Sequence, residues 1–154
     1  MSVAFEVNGR TVSVRANETA PLLDVLRNEL GLKGTRYGCG LEQCGSCMVL
    51  LDGEPVFSCS REVGTVTGRR ITTVEGLSDH ALVQAFLDEQ AGQCGYCLSG
   101  IVISAKALLD RNSAPGRADI VAALERHLCR CGTHQRIIRA IERATASIRE
   151  GAPA

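Results

Sequence analysis

The chemistry legible in this sequence is thiol chemistry. Eight of its residues are cysteines, and they fall into two groups. In the first, Cys39, Cys44 and Cys47 have four and then two residues between them, and Cys59 follows further on. That spacing suits a 2Fe–2S cluster. Thiolates and bridging sulfides make an anionic group rich in acceptor atoms, so the loop around it must approach closely and aim backbone N–H groups at sulfur. Gly38, Gly40 and Gly45 meet that need, because a residue without Cβ leaves room and accepts positive φ. A structural zinc site and disulfides are the competing readings. Zinc sites ordinarily pair C-x-x-C units, and the first gap here is wider. Gly38-Cys39-Gly40 also looks like the start of a dinucleotide fingerprint, but Gln43 stands where its third glycine belongs. In the second group, Cys94 and Cys97 form a C-x-x-C and Cys129 and Cys131 a C-x-C. Spacing leaves three readings of these four open: a second 2Fe–2S cluster, zinc, or redox-active thiols.

Little else competes for a chemical role. His80, His127 and His134 are the only histidines, and no two have metalloprotease spacing. His134 follows the C-x-C and reads as the first turn of a helix. There is no phosphate-cradling loop, so neither flavin nor nicotinamide binding is expected on this chain. Lys33 and Lys106 are the only lysines. Arg126, Arg130, Arg136, Arg139 and Arg143 gather around the second cysteine group, first as a solvated helix face and second as a partner interface, where arginine is enriched. Lys+Arg and Asp+Glu are 17 each over 154 residues, for a net charge of +0, which excludes a broadly basic nucleic-acid binder. Aromatics at 3% with no Trp argue against base-stacking platforms. No apolar run approaches membrane-spanning length. The N-terminus lacks a basic region followed by an apolar core, so no secretory signal is expected. The expected compartment is therefore the reducing cytoplasm, where unpaired thiols and metal ligands outnumber disulfides.

Two sets of elements must position these cysteines. Val3, Phe5 and Val7 alternate with polar or small residues, Asn8-Gly9 supplies a tight turn, and Val12 and Val14 continue the alternation. Pro21 opens a helical pattern carried by Leu22, Leu23, Val25, Leu26 and Leu30, and Gly31 stops it. Met48 to Leu51 is an apolar run, Asp52-Gly53 a second hairpin turn, Val56-Phe57 the return, and Ile71 to Val74 a last strand. This predicts a small α+β domain with a mixed sheet. The second half predicts four helices. Ser78 caps the first, with Leu82, Val83, Phe86 and Leu87 along it and an end near Gly92. Leu98 to Leu109 form the next. Ile120, Val121, Leu124 and Leu128 line a third, and Thr133 caps a fourth carrying Ile137, Ile138, Ile141 and Ile148. Short connections make this a compact bundle, with both cysteine pairs at inter-helix turns of one end. The boundary falls near Gly76–Ser78, giving domains 1–76 and 77–150, with the last residues frayed.

Three stretches carry a resemblance: Tyr37-Gly-Cys-Gly-Leu-Glu-Gln-Cys-Gly-Ser-Cys47, then Gln93-Cys-Gly-Tyr-Cys97, then Cys129-Arg-Cys-Gly-Thr133. In this order they resemble the iron–sulfur subunit of the molybdenum hydroxylases, the xanthine oxidase family, and most of all the small subunits of nicotinate dehydrogenase and isoquinoline 1-oxidoreductase. The resemblance runs over nearly the whole chain. It implies an α+β fold: an N-terminal β-grasp, ferredoxin-like domain followed by a four-helix bundle. It implies one 2Fe–2S cluster on Cys39, Cys44, Cys47 and Cys59 and a second on Cys94, Cys97, Cys129 and Cys131. It implies, as partner, a large molybdopterin-binding catalytic subunit, with the helical-domain cluster facing that cofactor and Gln93 hydrogen-bonding the pterin. A side-chain amide offers the donor and the acceptor such an edge needs. The chain itself would convert no substrate. It would pass electrons to a flavin-binding subunit or a cytochrome. An N-heteroaromatic such as nicotinate is the expected substrate class, with an aldehyde, xanthine or carbon monoxide dehydrogenase, or a stand-alone redox carrier, as alternatives.

Overall fold

A computed structural model describes residues 2–154 of the chain. Strands β1 (Val3–Val7) and β2 (Arg10–Val14) pair antiparallel around Asn8 and Gly9, which take φ of 50° and 77°. Two successive positive φ values give the turn whose twist matches the strands it joins. Asp52 and Gly53, at 53° and 88°, do the same between β3 (Met48–Leu51) and β4 (Glu54–Phe57). Pro55 is tolerated on β4 because that strand is an edge of the sheet. The sheet order is β2-β1-β5-β3-β4, with β5 (Arg70–Thr72) parallel to β1 and antiparallel to β3. Helix α1 begins at Leu22, as the Pro21 signal predicts, but only Leu22–Asp24 are α-helical. Val25–Glu29 widen to π-type bonding, with Leu30 N–H donating to the Val25 carbonyl at 3.1 Å. The predicted last strand is shorter than expected, because Val74 already starts a 3₁₀ turn, Val74–Leu77.

Four helices follow: α2 (Ala81–Asp88), α3 (Leu98–Arg111), α4 (Arg117–Leu124) and α5 (His134–Arg149). Their number and order match the pattern in the sequence, and three local expectations do not. Ser78 does not cap α2. It closes the preceding 3₁₀ turn, and the chain first becomes extended at His80, whose Nδ1 accepts from Leu82 N–H at 3.0 Å. Helix α4 stops at Leu124, so Leu128 lies outside it and is exposed. Thr133 occupies the start of α5 without a side-chain capping bond.

Apolar residues on both faces of the sheet explain how the halves join. Strand β3 is buried on both sides. Val49 and Leu51 face a core with Phe5, Leu22, Val25, Leu26 and Ile71, under α1. Met48 and Leu50 alternate to the other side. There they join the core of Leu82, Phe86, Ile101, Ile103, Ile137 and Ile141, contributed by the helices. The helical half therefore covers the sheet face that α1 leaves open, and the two halves share one apolar cluster.

Candidate metal centres

In the first group the loop after α1 folds around sulfur. Cys39 Sγ accepts the backbone N–H groups of Leu41, Gln43 and Cys44, each at 3.3 Å, and Cys39 N–H points at Cys44 Sγ at 3.3 Å. The N–H of Leu41 leads in lowering the Cys39 thiol to about 7, with those of Gln43 and Cys44 adding to it against burial. This is a site built for a thiolate, since hydrogen bonds to the charged form favour it. A Cβ on Gly38 would stand 2.6 Å from Cys44 Sγ, so only glycine lets the loop close on that sulfur. Cys47 and Cys59 form a second pair: the Cys47 thiol is pushed up to about 12 by burial, with Cys59 beside it. Cys59 comes from just beyond β4, whose hairpin returns it to the loop, and Ser58 N–H and Oγ both bond the Cys47 carbonyl, at 3.2 and 2.7 Å.

The second group sits at the turns α2–α3 and α4–α5. The Cys94 thiol, exposed, is lowered by the Tyr96 N–H and then by Cys131. Cys97, at the head of α3, is pushed up to about 12 by burial, with Cys129 against it. Burial also raises Cys129, but the N–H and hydroxyl of Thr133 and the N–H of Gly132 outweigh it and bring that thiol to about 7. Thr133 thus turns its hydroxyl, 3.7 Å away, to sulfur rather than to the helix end. All eight cysteines are free thiols. The thiols interact most directly as Cys39 with Cys44, Cys47 with Cys59, Cys94 with Cys131 and Cys97 with Cys129, and in the second group Cys129 also acts on Cys94 and Cys94 on Cys97, so its sulfurs gather in one place. Among the described residues no three His, Cys, Asp or Glu side chains converge as a single-ion site would require. Two thiols per metal, two pairs per group and backbone N–H groups aimed at sulfur are the donor set of a binuclear iron–sulfur centre. The residues present fit that group.

The structure brings the two groups near each other along the backbone. Leu128 N–H donates to the Cys44 carbonyl at 3.1 Å, so adjacent residues of the two loops are joined by one hydrogen bond. His127, buried between them, bonds Ser104 through Nε2 at 2.7 Å and leaves Nδ1 without a partner. Burial, then Arg126, drives the imidazole down to about 4. Neither His127 nor Ser104 stands out in the sequence, because a long-range packing contact leaves no spacing signal.

The remaining candidates, Gln93 and the arginines, lie at the surface. Gln93 is exposed in the α2–α3 turn and does not cap α3, whose cap position is Cys97. Two of the five arginines make ion pairs between helices: Arg143 with Asp88 at 3.1 Å and Glu89 at 3.3 Å, and Arg139 with Glu89 at 3.5 Å, all from α5 to the end of α2. Arg126 lies over the Phe57 ring at 4.3 Å. Arg139 and Arg143 are about half exposed while making these pairs. Four large apolar side chains in the cysteine loops, Tyr37, Leu41, Tyr96 and Leu128, are exposed.

The chain is similar to known proteins in sequence and fold. Residues 5–67 match the family described as 2Fe-2S iron-sulfur cluster binding domain, and residues 73–142 the family described as 2Fe-2S binding domain. The chain is 48% identical to one of the subunits of nicotinate dehydrogenase from Pseudomonas putida, over 97% of this chain and 98% of that one. It is 47% identical to the alpha subunit of isoquinoline 1-oxidoreductase from Brevundimonas diminuta, over 92% and 96%. The aldehyde oxidoreductase structure from Desulfovibrio gigas superposes with a TM-score of 0.94 at 37% identity, over 99% of this chain and 18% of that longer one.

Proposed function

The chain belongs to the iron–sulfur small subunits of the molybdenum hydroxylase family, and from that premise we propose that its eight cysteines hold its two 2Fe–2S clusters pair by pair. Cys39 with Cys44 and Cys47 with Cys59 would ligate one. Cys94 with Cys131 and Cys97 with Cys129 would ligate the other. The carrying observation is the side-by-side pairing of all eight thiols. The protein is the electron-transfer subunit of an oxidoreductase. When bound, such clusters accept and release single electrons.

The chain's own residues do three things for that role. Backbone N–H groups of Leu41, Gln43 and Cys44 offset negative charge at Cys39, and the Thr133 and Gly132 groups do so at Cys129, which favours an electron-rich state. Burial of Cys47 and Cys97 keeps water from the inner sulfurs. The Cys44 carbonyl and Leu128 N–H give the two loops a direct bonded link.

The partner is a large molybdopterin-binding subunit. The exposed Tyr37, Leu41, Tyr96 and Leu128 support this, since apolar side chains clustered in functional loops mark an interaction surface. In this reading Gln93, free at the surface beside the most exposed cysteine, hydrogen-bonds the partner's pterin. The division at residues 76–77 separates the cluster domains, and the working compartment is the cytoplasm. The substrate is an N-heteroaromatic of the nicotinate type, in keeping with the names of the relatives, and the acceptor is a flavin-binding subunit or a cytochrome.

The ligand sets are disjoint, which gives the test. Cys44→Ser should abolish the EPR signal of the first cluster, lower iron from about four to about two per chain, and leave the second signal intact. Loss of both signals, or of neither, overturns the assignment.

A further inference from the structure

Three segments meet at one point, two of them through a glycine. A Cβ on Gly100, in the first turn of α3, would stand 2.0 Å from the Gly45 carbonyl oxygen and 3.3 Å from the Ser46 Cα. Those atoms are backbone, so they cannot swing aside as the end of a flexible side chain can. On its other side Gly45 faces the loop before the C-x-C: a Cβ there would meet His127 Nδ1 at 2.2 Å and the Arg126 carbonyl oxygen at 2.7 Å. Ser104, one turn beyond Gly100 on α3, bonds the same His127 from the opposite ring nitrogen.

Each of these segments also carries a proposed ligand within three residues of the contact. Gly45 follows Cys44, Gly100 lies three residues after Cys97, and His127 lies two before Cys129. The Cys44 carbonyl to Leu128 N–H bond spans the same junction. Any bulk added there pushes one ligand loop away from the other.

We propose that the Gly45–Gly100 backbone contact, braced by Ser104 and His127, sets the separation of the two clusters and holds the Cys44–Leu128 link at bonding distance. Gly100 and Ser104 are positioning residues: they touch no cluster, and act through the loops they hold. This rests on the two-cluster reading above. The small residues at positions 100 and 104 are then required for spacing rather than for ligation.

The test uses the full chain loaded with both clusters. The unsubstituted protein must first show about four irons and two 2Fe–2S signals; a protein without them overturns the two-cluster reading rather than this inference. Gly100→Ala should keep the iron and both sets of g-values. It should show a measurably smaller magnetic splitting between the two reduced clusters, because that splitting falls with the cube of their separation. Hydrogen exchange at the Leu128 amide should speed up. Unchanged splitting with unchanged exchange overturns the proposal. Should Gly100→Ala not fold, Ser104→Ala removes only the hydroxyl brace; it should shift splitting and exchange in the same direction, and a Ser104→Ala protein identical to the parent in both overturns the proposal equally.

Discussion

Single residues here divide into those whose role follows from type and spacing and those whose role follows from a neighbour. The eight cysteines are of the first kind. His80 is of the second: its place before α2 gives Nδ1 an accepting role at the helix start, while Nε2 is buried without a partner. Protonation would break the cap bond and add a second unpaired donor. Burial lowers its pKa, and Lys106 lowers it further against the opposing pull of Asp110. A group depressed on folding contributes stability above its unfolded pKa and loses that contribution as pH falls through the folded one. Stability should therefore decline below about pH 6.5, the ordinary histidine value. His80→Asn keeps a capping acceptor without the titration. Thermal unfolding against pH should show a flatter acid side for His80→Asn than for the parent; parallel profiles would remove His80 from the account.

Among the elements, β3 and α3 carry most of the construction. Strand β3 is apolar on both faces because it lies between α1 and the helical half, and α3 is the helix laid against it. Ile101 is fully buried in the core that α3 shares with Met48 and Leu50. Ile101→Ala should cost about 2–5 kcal/mol in urea unfolding with an unchanged slope. Arg143→Ala breaks pairs that are half exposed and should cost no more than about 1 kcal/mol. The reverse ranking would mean that the α2–α5 ion pairs, rather than the shared core, hold the bundle. The run Met48–Leu51 marks a buried strand, and the Asn8-Gly9 and Asp52-Gly53 turns mark both hairpins, because the conformations they need are open to few residues. Sequence and structure part at the Ser78 cap and at the extension of α4 to Leu128. A capping residue is recognised by the backbone around it, and the helical period cannot register that Leu128 N–H is claimed by Cys44.

Over the molecule as a whole, the cysteine loops lie where the helical half meets the sheet, and their apolar side chains remain exposed. An electron-transfer chain that works as the small subunit of a larger enzyme needs such an open face. Gln93 tests that relation. In the assembled enzyme, Gln93→Ala should leave both clusters and the association of the subunits intact and slow turnover, because it removes one hydrogen-bonding amide at the proposed pterin contact. Unchanged turnover would return Gln93 to an ordinary surface position. Two cysteine groups, a mixed-sheet half, a four-helix half and, through the order of the motifs, the family were all legible in the chain before folding. Those features are local: ligand spacing, turn chemistry and hydrophobic period are written over a few residues each. Which thiol stands beside which became visible only in three dimensions. So did the service of Thr133 to Cys129 rather than to a helix end, and the closing of the gap between the groups by Gly45, Gly100 and His127. Those contacts join residues tens of positions apart, and a backbone-to-backbone approach leaves no pattern in the chain except the absence of a side chain.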